Sequence, residues 1–284
     1  MCRLIGLLLL PLLAMPAAAQ MTMRLQVDND AIVLGPRHDR DYTHGLDASL
    51  GVRRCARDAC SGWRLGLVHA LFTPDLLIPR EPPRDRPFAG YIGVRGALER
   101  WARRGAWQLM LTAGLRGPAA LGEPMQRFVH RLFGFTSPPS WDSQLPTAPW
   151  LSTTASGTRW TALGPVRLAA LGGVELGTMR SHAEGGLRGS VGLDGRWLAP
   201  RSIAGVAAGF GIEAGQRWIV NDRTLLGIDR DTLRRWRGWL GIDGTLQWQR
   251  WAATVSMQWV GKEFDGQGRA PVIGTVRLQW MPGD

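Results

Sequence analysis

The sequence predicts an all-β protein, an antiparallel transmembrane β-barrel of about 12 strands with one short helix in an extracellular loop. Three observations predict it. Apolar residues alternate with polar residues or glycine along almost the whole chain, which is the period of strands with one apolar face. The alternating segments run for about ten residues, the length a tilted strand needs to cross a bilayer. Tight turns, as at 163–166 and 248–251, alternate with long polar loops, as at 30–42, 71–87, 116–150 and 219–234, the short-periplasmic, long-extracellular asymmetry of outer-membrane barrels. A soluble sandwich shares the alternation. The segment length, the loop asymmetry and a set of tryptophans near strand ends, at 101, 107, 160, 197, 218, 236, 248, 251, 259 and 280, where an aromatic girdle sits, tip the reading to the barrel. No segment after the first twenty residues approaches the roughly 18 consecutive apolar residues of a transmembrane helix.

Taken in order, residues 1–19 carry Arg3, an apolar run over 4–13 and Ala17-Ala18-Ala19 ahead of Gln20. This is the pattern of a secretory signal peptide, so the barrel domain is expected over 20–284. The apolar run is too short to span a bilayer, and Cys2 leaves with the signal. Strands are expected at 21–29, 42–52, 62–70, 88–98, 106–115, 152–161, 166–176, 185–195, 203–218, 234–247, 250–260 and 271–281. An even count leaves both termini in the periplasm. Met23, Leu25 and Val27 mark the lipid face of the first strand and turn Arg24, Gln26, Asp28 and Asp30 inward. In the second, Tyr42, His44, Leu46, Ala48 and Leu50 share one face, with Thr43, Asp47 and Ser49 on the inward one. Cys55 and Cys60 stand close together after that strand. In an oxidising compartment a disulfide closing the hairpin is favoured over free thiols, and a metal site there lacks further soft ligands. The loop at 121–144 holds the one convincing helix, over 123–133, with Pro124 in its first turn and Met125, Phe128, Val129, Leu132 and Phe133 as an apolar stripe.

The formal charge is +11, from 34 basic and 23 acidic residues, and every basic residue except Lys262 is arginine. Arginine holds phosphate in a bidentate fork, so the excess suits an anionic partner such as nucleic acid or a phosphorylated glycolipid surface. Dispersed arginines on an exported chain do not fit nucleic acid.

Four constellations are candidates for chemistry. Asp28-Asn29-Asp30 ends the first strand with clustered oxygen donors of the kind Ca²⁺ binds, or is a solvated acidic turn. The segment from Asp39 to Gly45 opens the second strand, placing Thr43 near Asp30 and His44 on the outer face near the rim, in a packing role. On the loop helix, Gln126 and His130 are four apart at the edge of the apolar stripe, where that face meets the barrel wall. His130 there is a general base or a packed histidine. Arg84 and Arg86, with Arg80, lie on an outward loop, either to hold a phosphate or as ordinary loop arginines.

These segments also occur in a telling order: DND at 28–30, DRDYTHG at 39–45, TPDLL at 73–77, DRPFAG at 85–90, GPAALGEPMQRFVH at 117–130, SWDSQL at 140–145, GGLRG at 185–189 and KEFDGQ at 262–267. The ordered set resembles the outer-membrane lipid A 3-O-deacylase family (LpxR-like), from about residue 25 to the C-terminus. The resemblance implies a twelve-stranded barrel with its active site between the wall and a loop helix. There, a Ca²⁺-assisted hydrolysis would remove the 3-linked acyloxyacyl chain of lipid A in the outer leaflet. It implies His130 as general base, Asn29 and Asp30 as the metal and oxyanion pair, and Thr43 as the polar residue of the YTxG segment, with Arg84, Arg86 and Gln126 at the substrate. The implied partners are lipopolysaccharide and the outer membrane, with no nucleic acid, and the implied state is a monomer. The chain departs from the family pattern at Asp28, where the family has Glu, at Ser140 before Trp141, at Thr147-Ala148, where it has Asn-Glu, and in lacking a lysine at the site. The alternative is a non-catalytic barrel of the same fold, structural or decayed. A phospholipase barrel with a Ser-His pair would need a serine beside the histidine, and Ser49 lies too deep along its strand.

Overall fold

The computed structural model describes residues 19–30, 41–56, 59–75, 85–135, 141–196 and 202–281. Residues 1–18 of the signal segment, Arg80, Arg84 and Trp197 lie outside them. The strands are β1 (Gln20–Asn29), β2 (Asp41–Ala56), β3 (Ala59–Thr73), β4 (Ala89–Ala102), β5 (Gly105–Arg116), β6 (Ala148–Leu163), β7 (Val166–Gly177), β8 (Arg180–Gly192), β9 (Val206–Asp222), β10 (Trp236–Trp248), β11 (Trp251–Val260) and β12 (Val272–Trp280). Each pairs antiparallel with its neighbours in sequence, and β1 pairs with β12 from Met23↔Trp280 to Asn29↔Gly274, closing the barrel. Closure leaves no backbone edge unpaired, the condition for a sheet to cross lipid. One α-helix, α1 (Gly122–Phe133), interrupts the connection between β5 and β6. No helix of the described residues is long and apolar enough to cross a membrane.

The alternation sets the two faces as expected. Met23, Leu25, Leu50, Leu111 and Leu246 are exposed on the outer wall. Arg64, Glu99, Arg188, Glu213 and Asp243 are buried inside, where the charges pair, as in Arg64 with Glu99 at 2.6 Å and Arg188 with Asp243 at 2.6 Å. Tight turns close one end. Leu163 and Val166 flank Gly164 at φ +60°, and Trp248 and Trp251 flank Gln249 at φ +52°. Cys55 and Cys60 are register partners across the β2–β3 turn and form the expected disulfide. Trp107, Trp218, Trp236, Trp248 and Trp251 are exposed on the wall in girdle positions. Trp101 is a correction: it points inward and packs with Cys60 and Ala106, because the outward face of β4 is carried by Ile92, Val94, Leu98 and Arg100.

Candidate functional site between the wall and the loop helix

At the long-loop end of β1, β2 and β3, the outer wall stops being apolar. Asn29 pairs in register with His44, and directly opposite residues of an antiparallel pair share a face. Both therefore stand on the outer face that Leu25 and Val27 occupy lower down. On β2 the register shifts between Tyr42, opposite Phe72, and His44, opposite Leu71. This β-bulge inserts Thr43 as an extra residue and re-aims it. Tyr42 is thereby turned inside, off the His44 face that simple alternation gives it, and donates its hydroxyl to Asp28 Oδ2 at 3.1 Å, while Thr43 turns to the outer face, its Oγ1 2.6 Å from Thr73 Oγ1. Thr43 is thus not on the inward face that simple alternation gives it.

β3 contributes His69, Leu71 and Thr73 to the same outer patch. His69 Nε2 lies 2.9 Å from the carbonyl oxygen of Ala120. A carbonyl only accepts, so Nε2 carries the proton and Nδ1 is left as an acceptor. The His44 and His69 rings are 6.2 Å apart. Histidine, asparagine and threonine side chains on a wall that elsewhere meets lipid are costly unless covered or used. What covers them is the β5–β6 connection.

α1 is capped at its start by Leu121, in the left-handed region at φ +57°, and at its end by Gly134, φ +69°, where the Phe135 N–H closes on the His130 carbonyl at 2.8 Å. Its buried residues are Gly122, Gln126 and His130, spaced four apart and so on one face. That face lies on the outer wall of β3 and β4. Gly122 approaches Gly90 so closely that a Cβ on Gly90 would sit 3.0 Å from the Gly122 Cα, and a Cβ on Gly122 would sit 2.4 Å from the Trp141 ring. Trp141 is wedged beneath the helix against Phe88 and Leu71, and donates its indole N–H to Gln126 Oε1 at 2.8 Å. The His130 ring is 8% exposed and meets Phe135 edge-on at 5.7 Å.

The helix therefore lies edge-on to the wall, with Met125 of its apolar stripe packed against Leu71, Phe88 and Trp141. Its polar edge faces the wall, and Leu121, Phe128, Leu132 and Phe133 of its apolar side are more than half exposed. In water, leaving such side chains uncovered forgoes roughly 1.5–3 kcal/mol each. On the outside of a membrane barrel such a face suits contact with acyl chains rather than water.

One further expectation is corrected. Arg86 does not face the site. It is 1% exposed, its Nη1 donates to Glu263 Oε2 at 3.0 Å and its Nη2 to Thr224 Oγ1 at 3.3 Å, and it stacks over Phe72 inside the barrel mouth. Gln126 accepts the Trp141 indole and acts as a strut that anchors the helix. Asp30, 2% exposed, closes β1 beside Asn29. Sequence reasoning missed His69, Thr73 and Trp141. The signal for His69 was present, since it falls on the lipid-facing register of β3 with Leu65 and Leu67.

As to a cation, Asn29 and Asp30 supply an amide and a carboxylate oxygen, hard donors of the kind calcium takes, and Asp28 is committed to Gln26, Tyr42 and Thr275. Among the described residues no three His, Cys, Asp or Glu side chains are placed to hold a metal ion together. The donors fit the ion in kind and fall short of its usual six to eight in number.

A closed twelve-stranded antiparallel barrel with an apolar outer wall, a paired polar interior and a loop helix laid by its polar edge on the outside of that wall is the architecture of an outer-membrane barrel. A family model described as outer membrane protein LpxR matches residues 4–281, and the chain belongs to that family. Among solved structures it is similar to LpxR from Salmonella typhimurium, with a TM-score of 0.75 and 18% identity over 92% of this chain and 100% of that one. The β domain of the Bordetella autotransporter BrkA follows at a TM-score of 0.49 and 11% identity, covering 93% of this chain and 99% of that one. A comparison with curated protein sequences gives no match.

Proposed function

We propose that this protein is a lipid A 3-O-deacylase, an ester hydrolase that works from the outer leaflet on the 3-linked acyloxyacyl chain of lipid A. The observation that carries the reading is the orientation of α1, which holds His130 on the wall side and leaves its apolar side exposed. A lipid ester would reach the seam between α1 and the wall laterally, from the bilayer.

In this reading the His130 imidazole takes a proton from water as the water oxygen bonds to the ester carbonyl carbon. The bond to the sugar 3-oxygen then breaks, and that oxygen leaves with the proton His130 returns. The products are a free 3-hydroxyl and the carboxylic acid of the acyloxyacyl chain. The Thr43 hydroxyl is a donor for charge developing on the carbonyl oxygen. Asn29 and Asp30 would hold a calcium ion, which when bound adds positive charge near that oxygen. With so few protein donors, binding in the weak range of about 10⁻⁴–10⁻³ M is expected. The protein acts as a monomer after removal of its signal peptide.

The test is expression in a cell that makes ordinary lipid A, followed by mass spectrometry of the extracted lipid, with and without a calcium chelator. The wild-type chain should remove one acyloxyacyl mass. His130→Ala should slow this by roughly 10²–10⁴-fold, chelation should suppress it, and Asp30→Asn should raise the calcium concentration needed. An unchanged lipid profile with the folded wild-type chain sinks the proposal. The second reading, a non-catalytic barrel of the same fold, is favoured by Ala148 at the position where the family carries an acid, and that outcome would support it.

A further inference from the structure

Away from that seam, at the same end of the barrel, the β9–β10 connection forms a cavity of about 290 Å³. Its base is apolar, with Leu225, Ile228 and Leu233 packed on Phe264. Its rim carries Arg223, Arg230, Arg234 and Arg235, all exposed. Arg234 pairs with Asp265 at 2.7 Å. Arg235 gives one N–H to the Val220 carbonyl at 3.2 Å. Among the described residues no carboxylate lies within ion-pair reach of Arg223, Arg230 or Arg235. The acid that does line the cavity, Asp222, is taken by Arg237 at 2.9 Å and by Thr224.

The level of the cavity matters as much as its charge. Trp218 and Trp236, register partners on the outer wall with ring centroids 6.5 Å apart, mark the membrane interface at this side of the barrel. The arginines follow within a few residues on the extracellular side, where the headgroups of the outer leaflet lie. Unpaired guanidinium forks recognise phosphate, and an apolar base beneath them favours a ligand with a lipid or sugar body over a bare ion.

We infer that this cavity is a binding site for the phosphorylated headgroup of an outer-leaflet glycolipid, separate from the seam under α1. β9 and β10 lie across the barrel from β3 and β4 in the strand order, so a lipid held here is not the one presented to His130.

The experiment uses the full barrel in detergent with His130→Ala as parent, so that no glycolipid is consumed, and counts bound lipids by native mass spectrometry. The probes are bisphosphorylated lipid A, the same lipid with its phosphates removed, and inorganic phosphate. The triple variant R223Q/R230Q/R235Q should hold one lipid A fewer than its parent, or bind that lipid at least about tenfold more weakly. A control triple at the opposite end, R100Q/R103Q/R104Q, should match the parent. The dephosphorylated lipid should not distinguish parent from triple, and inorganic phosphate at equal concentration should not displace lipid A. Folding is checked by heat-modifiable migration on gels. If the triple does not fold, R230Q and R235Q singly carry the test, each weakening the binding about threefold. Equal lipid counts and affinities in parent and variants overturn the inference. So does an equal loss in the control triple, or displacement by inorganic phosphate, which would make this a site for a free anion. Because the count is taken as a difference from the parent, failure here leaves the deacylase reading standing, and failure of that reading leaves this count unchanged.

Discussion

Thr43 shows how one backbone irregularity decides what a residue can do. Its hydroxyl reaches the outer face only because the bulge before His44 adds a residue to β2, and it shares a hydrogen bond with Thr73, where both side chains are buried. Thr43→Val should cost about 1–3 kcal/mol by stranding the Thr73 hydroxyl. Thr43→Val/Thr73→Val, with both partners apolar, should recover most of that stability. If Thr43 serves the reaction, the double variant stays at least about tenfold slower on lipid A, and recovery of activity along with stability would reduce Thr43 to a structural role. The residue type and the segment were legible in the sequence, but the facing was not, since period-two arithmetic runs on past an inserted residue. Arg86 misled for a different reason. A loop arginine reads the same whether it turns out to substrate or back to the lumen, and what turns it back is Glu263, 177 positions away.

For α1 the sequence supplied the span within one residue and the two faces, but not which medium each face meets. The 3.6-residue period says that a helix is amphipathic, and in a water-soluble protein the apolar face would go in. Here Gly122 and Gly90 let the polar side approach the wall closely. Gly122→Val places a side chain where the Trp141 ring already lies, so the helix must lift. The expected result is loss of deacylation with an intact barrel, read as unchanged heat-modifiable migration beside an unmodified lipid A profile. A fully active Gly122→Val protein would show that the close approach is dispensable. The apolar side makes a complementary prediction. Phe128→Ser/Leu132→Ser/Phe133→Ser removes side chains that are 54–65% exposed, so unfolding in detergent should shift little, while hydrolysis of lipid A in membranes should fall several-fold as the helix loses its hold on the acyl layer. Equal rates in membranes would mean that this face does not meet lipid.

The barrel as a whole was the most legible part, because strand number, order and facing follow from a pattern repeated twelve times, with each strand corrected by its neighbours. The interior was less so: alternation marks which residues face in, while ion pairing among them depends on strands far apart in sequence. Arg188, 2% exposed, is held by Asp194 at 2.9 Å, Glu213 at 3.2 Å and Asp243 at 2.6 Å. A water-filled pore would leave such side chains wet. Their burial, with that of Arg64, Glu99, Thr245 and Gln247, means the lumen is packed at their level, below a polar cavity of about 310 Å³ at the long-loop end lined by Asp28, Arg86 and Arg217. The purified protein in a planar bilayer should therefore carry no steady ionic current, and a stable open-channel conductance would contradict the packed lumen. Arg188→Ala would confine three carboxylates in one buried space without their counter-charge. Breaking a buried charge network from one side costs about 3–5 kcal/mol, to be seen as a lower temperature for the gel-mobility transition. Reducing the Cys55–Cys60 disulfide, which closes only a short loop, should cost less, about 2 kcal/mol by loop entropy. It should leave lipid A hydrolysis untouched, because that hairpin lies at the end of the barrel opposite α1.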